Sequence, residues 1–199
     1  MRPMTTVTGR AVSLPDADVD TDIIYPARFL LITEKQGLGI HAFADRRIEP
    51  GFPIGNDNDR PILIAGPNFG CGSSREQAAW ALGDLGFRVI VAERFGEIFH
   101  GNCFRNGILP IRLDARHVAV LRAAAERGGE IRVDLTTRTI ASDGVSIAFE
   151  VAEDRREALM NGWNDTLRIL ALNGDDIARF ETAQRQAAPW LWTRKQDLG

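Results

Sequence analysis

A glycine-rich loop stands between a strand-like run and a helix-like run in the first half of the chain. Residues 61–66 form a short apolar run, residues 68–76 contain two glycines, and residues 77–82 are rich in alanine and leucine. A strand that enters a helix through such a loop directs backbone N–H groups and the positive helix end at one point. Two serine hydroxyls and a guanidinium lie in the same loop. The segment therefore predicts a site where an anionic small molecule is held and a proton is moved.

The same loop also fits the sequence pattern of a helix cap. Ser73 would be the N-cap, and Glu76 would reach back from the third helical position. A serine that acts as a base needs strong help because its hydroxyl is a very weak acid, and Arg75 and the helix N-terminus could supply that help. A serine hydrolase is a poor interpretation, because the motif is not Gly-x-Ser-x-Gly and none of the three histidines lies near Ser73 in the sequence.

Short apolar runs alternate with helical segments through the middle of the chain, which favours a parallel sheet. We expect strands at residues 6–12, 61–66, 88–92 and 108–113, and helices at 74–85, 94–105 and 114–127. Residues 49–59 are expected to form an exposed loop. Later short strands predict a second, antiparallel layer, at 130–135, 138–142 and 145–150, and further helices are expected at 153–161 and 174–187. No long linker divides the chain, so we expect one α/β domain over residues 1–199.

Composition excludes several classes of protein. The 199 residues are 44% hydrophobic and 26% charged, as in an ordinary globular protein, and the net charge of −3 provides no basic field for nucleic acid. No apolar run reaches the length of a membrane-spanning helix. Residues 1–6 lack the apolar core of a signal peptide, and we expect a cytoplasmic protein.

The two cysteines, Cys71 and Cys103, are too few for a disulfide scaffold. Their spacing is not that of a zinc or iron–sulfur site, so we expect free thiols and no metal site in this chain. Any metal chemistry would need ligands from elsewhere.

An acidic loop precedes the glycine-rich loop and carries four alternating aspartates: Asp16, Asp18, Asp20 and Asp22. The spacing is similar to the start of an EF-hand, but glycine is missing from the sixth position and glutamate from the twelfth. We therefore expect these carboxylates to cap backbone N–H groups or to hold an arginine.

Several separate blocks of the chain resemble one known family. The motif Asp20-Thr21-Asp22 and the glycine-rich loop belong to these blocks, which are residues 20–26, 68–76, 79–82, 97–102, 106–110 and 160–162. They are similar to the small subunit of 3-isopropylmalate dehydratase (isopropylmalate isomerase), and the resemblance covers nearly the whole chain. Block 68–76 is similar to the motif of the swivelling domain of the aconitase superfamily.

The resemblance implies a swivelling β/β/α domain with a mainly parallel central sheet and flanking helices. It implies a heterodimer with a large subunit, which carries a [4Fe–4S] cluster on its own cysteines and closes the active site. The family activity is that of a hydro-lyase: it isomerises 2-isopropylmalate and 3-isopropylmalate by dehydration and rehydration in the biosynthesis of leucine. One cluster iron acts as a Lewis acid on the leaving hydroxyl.

The resemblance also implies roles for single residues. Ser73 would take the carbon-bound proton, Ser74 would assist by hydrogen bonding, and Arg75 would hold a substrate carboxylate in a bidentate pair. Residues 29–32 match the loop that faces the variable substrate group, and homoaconitase-like relatives carry arginine where this chain has Leu31. An apolar side chain favours an alkyl group over a carboxylate. The alternative is that Leu31 is an ordinary core residue.

Two departures from the family pattern leave the substrate open. The family commonly has histidine where this chain has Gln77, and the segment before the glycine-rich loop is short, with a poor match at residues 51–60. The alternative substrates are other small alkyl malates, of the citraconate (methylmalate) or dimethylmalate type. A non-enzymatic alternative is an anion-binding or scaffold domain in which Ser73 only caps a helix.

Overall fold

The computed structural model describes residues 1–32, 34, 36–55 and 59–192. Within these residues seven strands form one sheet in the order β4-β3-β2-β1-β5-β6-β7. The strands are β1 (Thr6–Leu14), β2 (Ile62–Ala65), β3 (Val89–Ala92), β4 (Leu109–Arg112), β5 (Glu130–Asp134), β6 (Thr139–Ser142) and β7 (Val145–Ala148). Of the loop predicted at 49–59, residues 56–58 lie outside the described part of the chain.

The helices lie in the connections between strands and in the C-terminal part of the chain. They are α1 (Thr21–Ile24), α2 (Glu76–Asp84), α3 (Glu97–Arg105), α4 (Ala115–Glu126), α5 (Glu153–Asn161) and α6 (Asp165–Ala187). Short 3₁₀ helices occupy Ala27–Phe29, Leu38–His41 and Pro189–Leu191. The predicted α/β class, with a central sheet and flanking helices, is confirmed.

The long strand β1 joins two different halves of the sheet. Its residues 11–14 pair in parallel with β2, from Ala11 opposite Ile62 to Leu14 opposite Ala65. Its residues 6–10 pair antiparallel with β5. The strands expected to form a second layer are therefore continuous with the parallel strands through β1.

The parallel strands are buried on both faces. Every residue of β2 and β3 is buried, and their side chains alternate between two apolar clusters. Leu63 and Ala65 pack with residues of α2 and α3, whereas Ile62 and Ile64 pack with residues of α4 and α5. Burial on both faces explains why these strands appear in the sequence as continuous apolar runs.

The chain divides into two compact units, Met1–Gly162 and Trp163–Gly199. The first contains the sheet and helices α1 to α5, and the second contains α6 and the last 3₁₀ helix. The domain organisation expected from the sequence, a single domain over residues 1–199, stays a prediction.

Helix α6 begins nine residues earlier than the sequence predicted. The side-chain oxygen of Asn164 accepts a hydrogen bond from the backbone N–H of Leu167 at 2.8 Å and caps the helix there. The break expected before residue 174 is a kink, because Asn173 has non-helical angles (φ −125°, ψ 17°) inside the longer helix. None of the helices in the described part of the chain combines the length and the apolar character that a membrane span requires. The cytoplasmic location stays a prediction.

Candidate active site

The glycine-rich loop lies at the carboxyl edge of the parallel strands β1, β2 and β3, where open α/β sheets bind their ligands. Three segments meet there through backbone hydrogen bonds. Phe69 donates its N–H to the carbonyl of Arg94 at 3.0 Å, and Gly96 donates to the carbonyl of Phe69 at 3.0 Å. Gly70 donates to the carbonyl of Val19 at 2.7 Å. The loop is therefore held between the acidic loop and the chain that enters α3.

Gly70 is required by both its conformation and its surroundings. Its φ of +70° lies in the left-handed region, and an added Cβ would come within 2.2 Å of the ring of Phe99. Gly96 makes the matching close approach from the other side, where an added Cβ would lie 2.2 Å from the carbonyl oxygen of Gly70. The two glycines let the glycine-rich loop pack closely against the start of α3.

The predicted capping box at Ser73 is wrong. Helix α2 begins at Glu76 with Arg75 as its N-cap, and Arg75 has extended angles (φ −97°, ψ 107°). The backbone carbonyl of Ser73 accepts the N–H of Arg75 at 2.9 Å and the hydroxyl of Thr21 at 3.0 Å. Glu76 instead accepts a hydrogen bond from the side-chain amide of Asn106 at 2.9 Å. Ser73 and Ser74 are exposed just before the helix begins.

The guanidinium of Arg75 forms an ion pair with Asp22. The side chain of Arg75 is only 20% exposed, whereas that of Asp22 is 50% exposed. The sequence pattern predicts that aspartates of the acidic loop cap backbone or hold an arginine, but it does not pair Asp22 with Arg75, because 53 residues separate the two side chains and no local pattern joins them. The sequence signal for this ion pair is the opposite charge of the acidic loop and of Arg75 in the glycine-rich loop.

The expected roles are confirmed for three of the four aspartates, which cap backbone or hold arginines, whereas Asp18 accepts a side-chain amide instead. In addition to the pair of Asp22, Asp20 accepts the backbone N–H of Ile23 at 2.7 Å, Asp18 accepts the side-chain amide of Asn68 at 2.7 Å, and Asp16 lies 3.1 Å from the guanidinium of Arg46. Among the residues that the structure describes, no group of three or more histidine, cysteine or acidic side chains is arranged to hold a metal ion.

Both cysteines are free, as predicted. Cys103 is fully buried in the core beside α2, and burial strongly raises the pKa of its thiol. Cys71 is half-buried and donates to the carbonyl of Asp18 at 3.5 Å; burial, and then the charges of Asp20 and Asp18, raise the pKa of its thiol. Two cysteines are fewer than the cysteine thiolates that hold an iron–sulfur cluster.

The three histidines contact other partners. His41 stacks on Phe29 with ring centroids 4.1 Å apart, His100 lies beside Phe95 and Phe104, and Nδ1 of His117 lies 3.0 Å from Asp114. Burial, and then the nearby charge of Arg112, lower the pKa of His100 to about 4. The prediction that no histidine activates Ser73 as in a hydrolase stays a prediction.

Leu31 lies in the turn that follows the 3₁₀ helix Ala27–Phe29. The turn is closed by a hydrogen bond from the N–H of Ile32 to the carbonyl of Phe29 at 3.0 Å. The side chain of Leu31 is 92% exposed, so the alternative that it is an ordinary core residue is wrong. Its role toward a substrate stays a prediction.

Comparison with known proteins identifies the family. The aconitase C-terminal domain family matches residues 54–116, which include the glycine-rich loop. The 3-isopropylmalate dehydratase small subunit of Rhodospirillum centenum is 45% identical over 201 residues, covering 96% of this chain and 98% of that protein. The small subunit of Paramagnetospirillum magneticum is 43% identical over 202 residues, covering 96% and 100%. The chain belongs to the 3-isopropylmalate dehydratase small-subunit family.

A solved structure supports the same family. The crystal structure of 3-isopropylmalate dehydratase from Methanocaldococcus jannaschii superposes with a TM-score of 0.66 at 27% identity, and the match covers 89% of this chain and 99% of that one. The resemblance of this chain to the small-subunit family, seen in its motifs, is thereby confirmed. The roles of Ser73, Ser74, Arg75 and Leu31 stay predictions, although the structure brings the first three together in one loop.

Proposed function

We propose that this chain is the small subunit of a hydro-lyase that interconverts 2-isopropylmalate and 3-isopropylmalate in the biosynthesis of leucine. The observation that carries the proposal is identity of 40–45% over 96% of the chain with proteins named 3-isopropylmalate dehydratase small subunit. A longer relative from Rhizopus niveus, named 3-isopropylmalate dehydratase, matches 96% of this chain with only 27% of its own length. The remaining length of that relative supports a larger partner for this chain. In the relatives named as small subunits, that partner would be a separate large subunit.

Ser73 is the proposed base. It is exposed at the entrance to α2, and it stands two residues before the guanidinium of Arg75. The helix N-terminus and the guanidinium both favour a negatively charged oxygen, which is what a serine needs to accept a proton from carbon. Ser74, also exposed, can donate a hydrogen bond to the same substrate.

Arg75 is the proposed carboxylate ligand. A guanidinium presents five N–H donors in a planar fork, and its ion pair with Asp22 leaves other donors for a second carboxylate. The partly buried position of Arg75 strengthens such a contact because solvent screens it less. The expected substrate is therefore a small dicarboxylate.

The proposed reaction also needs a Lewis acid for the leaving hydroxyl, which a [4Fe–4S] cluster supplies when bound. This chain has two cysteines, Cys71 and Cys103, which are fewer than the cysteine thiolates that hold such a cluster. We therefore place the cluster on the large subunit. This chain contributes the base and the carboxylate contact.

Once the large subunit covers the exposed turn of Leu31, this apolar side chain favours an alkyl substituent on the substrate, because a carboxylate buried against leucine would lose its hydration without compensation. Isopropyl, methyl and dimethyl substrates all satisfy that condition. The names of the relatives favour isopropylmalate over the other alkyl malates.

The experiment is to express the chain together with a large subunit, purify the complex without oxygen and assay it on isopropylmalate, citraconate and dimethylmalate. Replacement of Ser73 by alanine (Ser73→Ala) should lower kcat by about 10²- to 10⁴-fold, as expected for loss of a general base. The melting temperature should change little, because Ser73 is exposed and does not cap α2.

Ser146→Ala, at an exposed serine of β7, is the matched control and should keep the wild-type rate. The small chain alone should be inactive. A Ser73→Ala complex that retains the wild-type kcat would show that another group takes the proton, and a wild-type complex that prefers citraconate would reassign the substrate.

A further inference from the structure

Two neighbouring side chains of α1 contact the glycine-rich loop. The hydroxyl of Thr21 donates to the carbonyl of Ser73 at 3.0 Å, and its backbone N–H donates to the carbonyl of Cys71 at 3.0 Å. The next residue, Asp22, holds the guanidinium of Arg75. One short helix therefore contacts both residues to which the proposed reaction assigns its main tasks.

The loop needs this support because its own hydrogen bonds are few. Gly72 has a φ of +86°, in the left-handed region, so the chain turns there before α2 begins. The carbonyl of Ser73 has two donors, the N–H of Arg75 and the hydroxyl of Thr21. Thr21 is only 1% exposed, and a buried hydroxyl fixes its acceptor more firmly than an exposed one, since water does not compete.

Helix α1 is itself anchored at both ends. The carboxylate of Asp20 caps it by accepting the N–H of Ile23 at 2.7 Å. Ile24 is fully buried in the core cluster that also contains residues of α2. Movements of Thr21 and Asp22 relative to α2 are therefore restricted.

Asp22 limits the orientations of Arg75. A bidentate contact to a carboxylate requires that the guanidinium plane has one orientation, whereas a free arginine side chain samples many rotamers. An acidic partner on the guanidinium restricts those rotamers, and the five N–H donors of arginine allow a second acceptor. Competition between Asp22 and the substrate carboxylate for Arg75 would have the opposite effect and would lower KM when Asp22 is replaced.

We propose that Thr21 and Asp22 are positioning residues, which hold Ser73 and Arg75 in the geometry that the reaction requires. The proposal rests on the proposed function of this loop. Thr21 acts on the placement of the base, and Asp22 acts on the carboxylate contact. The two residues should therefore affect different kinetic constants.

The kinetic test uses the assembled enzyme. Asp22→Asn should raise KM by about 10- to 100-fold and change kcat much less, since small misplacements of a binding group have effects of that size. Thr21→Val keeps the shape but removes the hydroxyl, and should lower kcat by about 10- to 100-fold. Thr21→Ser, which keeps the hydroxyl, should restore most of the lost rate.

Asp143→Asn is the matched control. Asp143 pairs with Arg127 at 2.7 Å and its side chain is 52% exposed, close to the 50% of Asp22, but it lies in the hairpin turn after β6. This variant should keep wild-type KM and kcat. A lowered KM in Asp22→Asn would show that Asp22 competes with the substrate, and it would overturn the positioning role. A lowered melting temperature with unchanged KM would overturn that role as well.

A second measurement separates this inference from the proposed function. NMR spectra of the side-chain N–H groups of isotope-labelled arginine in the full small chain report the ion pair without an activity assay. The signal of Arg75 is assigned by its loss in Arg75→Lys. Asp22→Asn should shift the Arg75 signal, and Asp143→Asn should leave it in place. An unmoved Arg75 signal overturns the inference whatever the enzyme does, whereas a wild-type complex inactive on alkyl malates overturns the function alone.

Discussion

The glycine-rich loop after β2 and the hairpin turn between β6 and β7 use the same backbone conformation in different surroundings. Gly70 has a φ of +70° and Gly144 a φ of +79°. An added Cβ at Gly70 would lie 2.2 Å from Phe99, whereas at Gly144 it would find nothing within 4 Å. Glycine in the hairpin therefore supplies only a backbone angle, but in the loop it also permits close packing.

The two regions also differ in the range of their contacts. The hairpin turn consists of Asp143 and Gly144, a two-residue connection between strands adjacent in sequence. The loop instead joins segments near residues 20, 70 and 95, and its conformation depends on all three. The candidate active site therefore lies where segments distant in sequence meet, whereas the hairpin turn only connects two neighbouring antiparallel strands.

The largest loss of stability is expected for Gly70→Ala. A side chain at positive φ costs about 1–2 kcal/mol, and overpacking against a fully buried ring adds about 1–3 kcal/mol. Phe99 cannot easily move away because it also packs against Phe69, with ring centroids 5.6 Å apart. Denaturant unfolding should show a loss of about 2–5 kcal/mol, the sum of these two effects. Full stability in this variant would mean that Phe99 yields and that the loop is not closely packed.

The same contrast explains how much of the structure the sequence predicted. The strands and helices from β2 to α5 were predicted within a few residues, because each is encoded by a local apolar run with its own end signals. The start of α3 was placed too early, at residue 94. Phe95 pairs with Phe69 as an isolated bridge, and that contact keeps the chain extended until Gly96.

The loop was located correctly, but its internal geometry was not. Ser73 resembled a helix cap because only its neighbours in sequence were considered, whereas its carbonyl bonds to Thr21, 52 residues earlier. The pair of Asp22 with Arg75 was missed for the same reason. Local patterns therefore predict which segment carries the chemistry, and the tertiary contacts decide which atoms are available.

A smaller effect on stability, but a clear one on binding, is expected for Arg75→Lys. Lysine keeps the charge but cannot make a planar two-point contact with a carboxylate. Loss of one charge-assisted hydrogen bond, about 1.5–3 kcal/mol, corresponds to a rise in KM of about 10- to 100-fold. Steady-state kinetics of the assembled enzyme measure this rise.

Arg127→Lys provides the comparison at the hairpin. Arg127 pairs with Asp143 in the same way, but its side chain is 62% exposed. An exposed ion pair contributes about 0–1 kcal/mol, so this variant should leave both KM and the unfolding free energy nearly unchanged. A normal KM in Arg75→Lys would exclude Arg75 as the carboxylate ligand.

A loss of stability smaller than that of Gly70→Ala is expected for Gly144→Ala. The only penalty is the strain of alanine at positive φ, about 1–2 kcal/mol, because the space around Gly144 is open. For a chain of this size that strain lowers the melting temperature by about 2–4 °C per kcal/mol, and kcat and KM of the assembled enzyme should not change. Gly144→Asn should recover part of the loss, since asparagine tolerates the left-handed region better than alanine does.

Thermal unfolding of the two variants beside Gly70→Ala measures the packing contribution directly, as the difference between the two alanine substitutions. Equal losses at Gly70 and Gly144 would mean that backbone strain alone governs both turns, and that the close approach of Phe99 to the loop contributes nothing to its stability.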